Sequence, residues 1–284
     1  MKPAFAYYGG KGRLAPTWIV PNLPEHRVYV EPFAGSAAVL FAKAPVHHEI
    51  INDLDGAIVN FYRVLRERPD DLERAVRLTP YSREEYALAD FDAPDLDEVE
   101  RARRWWVRST QGFGRSATRQ TGWSISTAQN TPRMHQLTRR IERFAEIAER
   151  LRHVFIENTD GLAVIERYGS DPTACIYVDP PYLRSTRSAP TCYRHEFQED
   201  HQHRDLADAL HATRAAVVLS GYPSALYDKD LYAGWHRIER SITLRAGNGR
   251  KTSPRDVVEV LWANRPFATE PDEVHLTLFD EEAS

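Results

Sequence analysis

The chain has 284 residues, 42% of them apolar, enough to bury one large core, or one core with a smaller inserted subdomain, without metal or disulfide staples. No apolar run approaches the roughly 20 residues that span a bilayer, the start (Met1-Lys2-Pro3-Ala4-Phe5) lacks a signal-peptide layout, and Cys175 and Cys192 read as reduced thiols, so a cytoplasmic protein is expected. The net charge of −4 argues weakly against a nucleic-acid partner, but positions 101–150 hold eleven arginines, no lysine or aspartate and three glutamates: a +8 segment in a chain that is otherwise −12.

From the amino terminus, Tyr7-Tyr8-Gly9-Gly10-Lys11-Gly12-Arg13 is a glycine turn without phosphate-loop spacing, because its first glycines are adjacent and no Ser or Thr follows Lys11. ATP binding is therefore not expected. Lys11 can instead pair with a ligand carboxylate and Tyr7 can face a sulfonium cation, the plainer alternative being a flexible terminal turn. Short β-branched and aromatic runs predict seven strands, at 27–31, 48–52, 153–157, 174–179, 215–220, 237–244 and 257–263, with helical segments alternating among them. Several are nearly continuous apolar runs, as in central strands covered on both faces, so an α/β open sheet is expected.

After the first strand, Glu31-Pro32-Phe33-Ala34-Gly35-Ser36-Ala37 turns on small residues into a helix, the layout of a nucleotide-cofactor turn. The fingerprint G-x-G-x-x-G is absent, which disfavours a nicotinamide enzyme. The second strand ends at Asn52-Asp53-Leu54-Asp55, where Asp53 can accept from ribose hydroxyls and Asp55 can cap the helix through Ile58, Phe61 and Leu65. A stretch of helix and loop follows, roughly 66–152, and reads as an insertion. Within it Ser82 and Glu85 form a capping-box signature, and Pro132 opens one long helix with Met134, Leu137, Ile141, Phe144, Ile147 and Leu151 on one face. Its arginines, interleaved with Trp105, Trp106, Phe113 and Trp123, suit either a phosphate-tracking surface or a merely solvated helical pair. The loop at 111–130 is too long for an ordinary connection.

The sharpest motif, Asp179-Pro180-Pro181-Tyr182, directly follows the apolar run Cys175-Ile176-Tyr177-Val178. Ligands of open sheets bind beyond the carboxyl ends of strands, and two prolines stiffen the chain while leaving the Pro180 carbonyl as an acceptor. A nucleobase amine is a poor nucleophile because its lone pair is delocalised into the ring. Asp179 and the Pro180 carbonyl can accept both of its hydrogens while Tyr182 stacks on the base, directing the lone pair at an electrophilic methyl. A strand-ending turn capped by Asp179 is the alternative. A cytosine C5 mechanism needs a thiolate after proline, but Cys175 follows Ala174 and Cys192 follows Thr191, which excludes it. His195, His201 and His203 lack metal-ligand spacing and accompanying thiolates, so no metal is expected.

Taken together, Gly9-Gly10-Lys11, Glu31-Pro32-Phe33-Ala34-Gly35-Ser36, Asn52-Asp53, Asp179-Pro180-Pro181-Tyr182 and a late strand ending Glu259-Val260-Leu261-Trp262-Ala263-Asn264 resemble the Dam-like family of DNA adenine methyltransferases. The resemblance implies a Rossmann-like S-adenosylmethionine-dependent sheet of about seven strands at 1–66 and 153–284, with an inserted, mainly helical DNA target-recognition domain at 67–152. It implies methyl transfer from S-adenosylmethionine to the N6 amine of a flipped adenine, with Asp179, Pro180, Pro181 and Tyr182 catalytic. Tyr7, Lys11, Asp53 and Asp179 would contact the cofactor, Phe33 and Gly35 would shape its pocket, and Asp160 would lie near its adenine. Arg103, Arg104, Arg108, Arg115 and Arg119 would contact phosphates or base edges, with Trp123 or Phe113 as a wedge and the loop 245–252 beside the backbone. The implied partner is double-stranded DNA, with no membrane or metal, a monomer as the simplest state, and room for a cognate restriction endonuclease. Amino-methylation of RNA or of cytosine N4, or an inactive DNA-binding relative, are the competing readings.

Overall fold

The computed structural model describes residues 1–5, 7, 9–112, 122–124, 133–186, 197, 199–244, 255–267 and 276–277. Strand β1 (Val28–Glu31) turns into helix α1 (Ala38–Ala42), and β2 (His48–Asn52) into α2 (Gly56–Glu67). Five more helices follow among the described residues: α3 (Pro69–Arg77), α4 (Arg83–Leu88), α5 (Glu98–Gln111), α6 (Arg133–Ile141) and α7 (Phe144–Leu151). Alternation then resumes with β3 (Val154–Glu157), α8 (Gly161–Gly169), β4 (Ala174–Val178), α9 (Asp200–His211) and β5 (Ala216–Gly221), and ends with β6 (His236–Leu244), β7 (Arg255–Ala263) and β8 (Leu276–Thr277).

All eight strands join one sheet in the order β3-β2-β1-β4-β5-β7-β6-β8. The first five in that order pair in parallel, whereas β7 runs antiparallel to both β5 and β6. The seven expected strands all form, and only the two-residue β8, too short to leave a periodic signal, was not anticipated. Every position of β4 and β5 is buried. In β4, Cys175 and Tyr177 enter the apolar cluster on one face while Ala174, Ile176 and Val178 enter that on the other, which is why the strand reads as an unbroken apolar run. Strand order reverses beside β1, with β2 on one side and β4 on the other, so the carboxyl ends of β1 and β4 bound the crevice where an open sheet takes its ligand.

Helix α2 starts where the Asp55 carboxylate accepts from the Ala57 N–H at 3.0 Å, the cap the sequence predicts. Its buried Phe61 meets Trp105 of α5 at 5.2 Å between ring centroids, and Trp105 meets Phe5 at 4.6 Å. Helices α3, α5, α6 and α7 thus place buried apolar side chains in the same cluster as α2 and one face of the sheet. At the amino end of β2, buried Glu49 takes Lys43 at 2.7 Å and the Arg150 guanidinium of α7, which ties the returning helix to the sheet. Burial opposes the Glu49 charge, but these two cations outweigh it and hold the carboxyl below its ordinary range.

Two local expectations change. Ser82 Oγ accepts from the Glu84 and Glu85 N–H groups, but the Glu85 carboxylate turns to Arg103 instead of closing the capping box. The single helix expected after Pro132 is broken into α6 and α7 at a turn over 142–143, where the Arg143 N–H bonds Arg140, three residues back. Leu137, Ile141, Phe144, Ile147 and Leu151 are buried as expected, while Met134 is exposed. No helix among the described residues is long and apolar enough to cross a membrane.

Candidate active site

The loops beyond β1, β2 and β3 are sewn together by one amide. Buried Asn52 donates to the Pro32 carbonyl at 2.8 Å and the Thr159 carbonyl at 3.0 Å, and accepts from the Thr159 N–H at 2.9 Å. On that frame Gly35 adopts φ +48°, and its N–H donates to Asp53 Oδ2 at 2.9 Å. A Cβ there would come within 3.0 Å of the Tyr7 ring, so glycine is required both by the left-handed backbone and by the close aromatic wall. Ala37 is also left-handed, at φ +49°, so the bulkier Gly-Ser-Ala turn still closes tightly. Buried Glu31 accepts from the Tyr29 hydroxyl and the Leu40 N–H; burial, only partly offset by these bonds, pushes its carboxyl up to about 7.

A cavity of about 300 Å³ opens over these turns, with Tyr7, Phe33, Gly35, Asp53, Asp160 and Asp179 in its wall. All six positions named from the sequence for the cofactor pocket, apart from Lys11, thus meet in one space. Phe197 and Gln202, which carried no sequence motif, complete it. Burial pushes the Asp53 carboxyl up to about 6 despite two backbone N–H donors. Asp160 is exposed and caps α8 through the Leu162 N–H at 2.7 Å. A recess of about 40 Å³ adjoins, reached by Lys11, Glu31 and Tyr177 and sharing Tyr7, Gly35 and Asp179 with the larger cavity.

Lys11 is 5% exposed and lies across the Asp179-Pro180-Pro181-Tyr182 turn. Its Nζ donates to Asp179 Oδ1 at 2.9 Å, to the Gly9 carbonyl at 3.1 Å and to the Tyr182 hydroxyl at 2.5 Å. The partner expected for it was a ligand carboxylate; the carboxylate it meets is the protein's own Asp179. Burial works against the ammonium, yet Asp179 and Glu259 outweigh it and hold Lys11 charged above its ordinary range. Tyr182 donates in turn to Glu259 Oε1, and Tyr222, just beyond β5, packs edge-on against its ring at 4.7 Å. Glu259 was quoted only as part of a strand and Tyr222 not at all. A lone acid inside the apolar run of β7 is the signal that could have singled out Glu259.

The insertion does not present its helical arginines as expected. Arg103 pairs with Glu85 and Glu100, Arg104 with Glu100, and Arg108 lies over the Tyr86 ring and donates to the Tyr86 carbonyl. Trp123 packs against Tyr81 with ring centroids 5.4 Å apart, and its backbone bridges Gly112. Arg115, Arg119 and Phe113, the loop 245–252, His195 and Cys192 lie outside the described residues. Of the remaining histidines, His203 is buried against the Tyr227 hydroxyl and His201 faces Glu199. Among the described residues no group of three or more side chains could hold a metal ion.

An open α/β sheet with an acidic, aromatic-walled cavity at its switch point, and a rigid Asp-Pro-Pro-Tyr turn on the cavity's edge, defines an amino-methyltransferase. Residues 7–243 match the D12 class N6 adenine-specific DNA methyltransferase family, and the chain belongs to that family. It is 29% identical over 286 residues to the Type II methyltransferase M1.LlaDCHI of Lactococcus lactis subsp. cremoris, covering 93% of this chain and 95% of that one. It is 24% identical over 298 residues to the Type II methyltransferase M.MjaIII of Methanocaldococcus jannaschii, covering 93% and 99%. The chain is thus an adenine-specific DNA methyltransferase acting on the N6 amine, and its family implies S-adenosylmethionine as methyl donor.

Proposed function

We propose that Asp179 and the Pro180 carbonyl hold the two hydrogens of a flipped adenine amine at the edge of the cavity, with the base stacked on Tyr182. The observation that carries this reading is the 2.9 Å contact of buried Lys11 with Asp179 Oδ1. It fixes one carboxylate oxygen by a charge-assisted bond and aims the other as acceptor, while the double proline fixes the neighbouring carbonyl. Tyr182 is 7% exposed, so a base still stacked in a duplex cannot reach it and must be extruded.

The cavity residues fit S-adenosylmethionine. Its volume lies at the lower end of ligand pockets, about 300–1,000 Å³. Asp53 supplies an acceptor for ribose hydroxyls, Asp160 one for the adenine, Phe33 and Phe197 give apolar walls, and the space before Tyr7 is one that a Cβ on residue 35 would fill. When bound, the donor supplies an electrophilic methyl on a sulfonium, and the Tyr7 ring and Asp179 carboxylate, on the wall shared by the cavity and the recess, suit that positive charge. The insertion at 67–152 delivers double-stranded DNA to the edge of the site, with Arg115 and Arg119 as contacts, while Arg103, Arg104 and Arg108 brace it from within. The Type II names of the relatives favour a restriction-modification setting with a cognate endonuclease.

The test is incubation of purified protein with unmethylated genomic DNA and labelled S-adenosylmethionine, followed by nucleoside analysis. Label in N6-methyladenine, abolished by Asp179→Ala even at saturating donor, is the expected result; undiminished label in that variant would remove Asp179 from the chemistry.

A further inference from the structure

Glu259 stands in the middle of β7, 3% exposed, in an otherwise apolar run. A carboxylate in such a place is kept against a desolvation penalty, and its partners here all serve the catalytic turn. Its Oε1 accepts from the Tyr182 hydroxyl at 2.5 Å and from Ser220 Oγ at 2.8 Å, and stands 3.4 Å from Lys11 Nζ. Across the hairpin its register partner is Arg240, which donates to the Thr17 carbonyl at 3.3 Å. The strand pair that carries Glu259 thus also grips the segment that follows Lys11.

We infer that Glu259 is a positioning residue for methyl transfer, acting through the Tyr182 hydroxyl to fix the ring on which the target base stacks. The inference rests on the stacking role proposed above for Tyr182. That ring is held at both ends, its backbone by the double proline and its hydroxyl by Glu259, while Tyr222 blocks one edge. Removing Glu259 takes away the hydroxyl's carboxylate acceptor and leaves it to Lys11 and Ser220, so the ring is held less firmly and the base loses its registration against Asp179 and the Pro180 carbonyl. Tyr182 does not line the 300 Å³ cavity, so donor binding is independent of this grip.

Wild type, Glu259→Gln, Glu259→Ala, Tyr182→Phe and the double variant Tyr182→Phe/Glu259→Ala are compared as full-length proteins. The readouts are methyl transfer to unmethylated genomic DNA at saturating labelled S-adenosylmethionine, and donor affinity by equilibrium dialysis. Glu259→Ala is expected to lower kcat about 100-fold, and Glu259→Gln, which keeps an acceptor oxygen, about tenfold. Donor affinity stays within about twofold, and the double variant is no more than about twofold slower than Tyr182→Phe, because both changes remove one interaction. Fully additive losses, kcat near wild type in both Glu259 variants, or a parallel loss of donor affinity would each overturn the inference. If Glu259→Ala fails to fold, the near-isosteric Gln variant decides by the same kcat and affinity criteria. A wild type that labels no adenine refutes the underlying reading of Tyr182 and this inference with it, whereas an active enzyme indifferent to Glu259 refutes the inference alone.

Discussion

At Gly161 an added Cβ would stand 2.6 Å from the Phe33 ring, closer than any relaxed contact, and that ring is a wall of the cavity. Gly161→Ala should therefore push Phe33 into the donor's space and weaken donor binding about tenfold, since overpacking of this kind costs about 1–3 kcal/mol. Gly234→Ala, with nothing within 4 Å, should leave binding unchanged in the same titration. Glu31 gives a second test. Its carboxyl is raised from 4.5 to about 7 on folding, chiefly by burial, so the folded state holds a proton that the unfolded chain has released. The resulting stability is complete below the unfolded value and is lost as pH rises from about 4.5 through about 7. Glu31→Gln should then raise the Tm relative to wild type at pH 8 and leave it little changed at pH 4.5, as thermal melts across that range would show; a larger gain at acid pH would contradict the assignment.

Helix α5 carries the arginines expected on DNA, yet it is inserted between α2 and α4 with Trp105 and Trp106 wholly buried. Arg103→Ala should lower stability by about 1–3 kcal/mol by stripping Glu85 of its partner and leaving Glu100 to Arg104 alone. The slope of log affinity for DNA against log salt should not change, whereas loss of a true phosphate contact would reduce it by about 1. Filter binding from low to moderate salt separates the two outcomes. These ion pairs were not legible in the charge of positions 101–150, because Glu85 and Glu100, which pair with Arg103 and Arg104, lie upstream of that window. The strands were readable because β4 and β5 are buried on both faces, so their runs at 174–178 and 216–219 are wholly apolar. Asp179-Pro180-Pro181-Tyr182 was readable because its prolines make the local geometry a property of the sequence. Phe197, Gln202 and Tyr222 were not, since only the folded chain brings those loops to the crevice.

One of the two apolar clusters that sandwich the sheet continues across the insertion boundary, through Phe5, Phe61, Trp105 and Phe144. Calorimetry should accordingly show a single unfolding transition, and saturating donor should move it upward as a unit. Two separable transitions would instead mark 67–152 as an independently folding domain. The same sharing extends to the chemistry. Lys11 reaches Asp179 across 168 positions of sequence, and Glu259 arrives from a strand made later still. Contacts of such high sequence separation close late in folding. During translation Lys11 must therefore wait for Asp179 and Tyr182, and its full set of partners is complete only when β7 has left the ribosome. Each newly made copy is incompetent throughout its own synthesis, and the delay before a cell's DNA first receives its marks includes the full time needed to make and fold the chain.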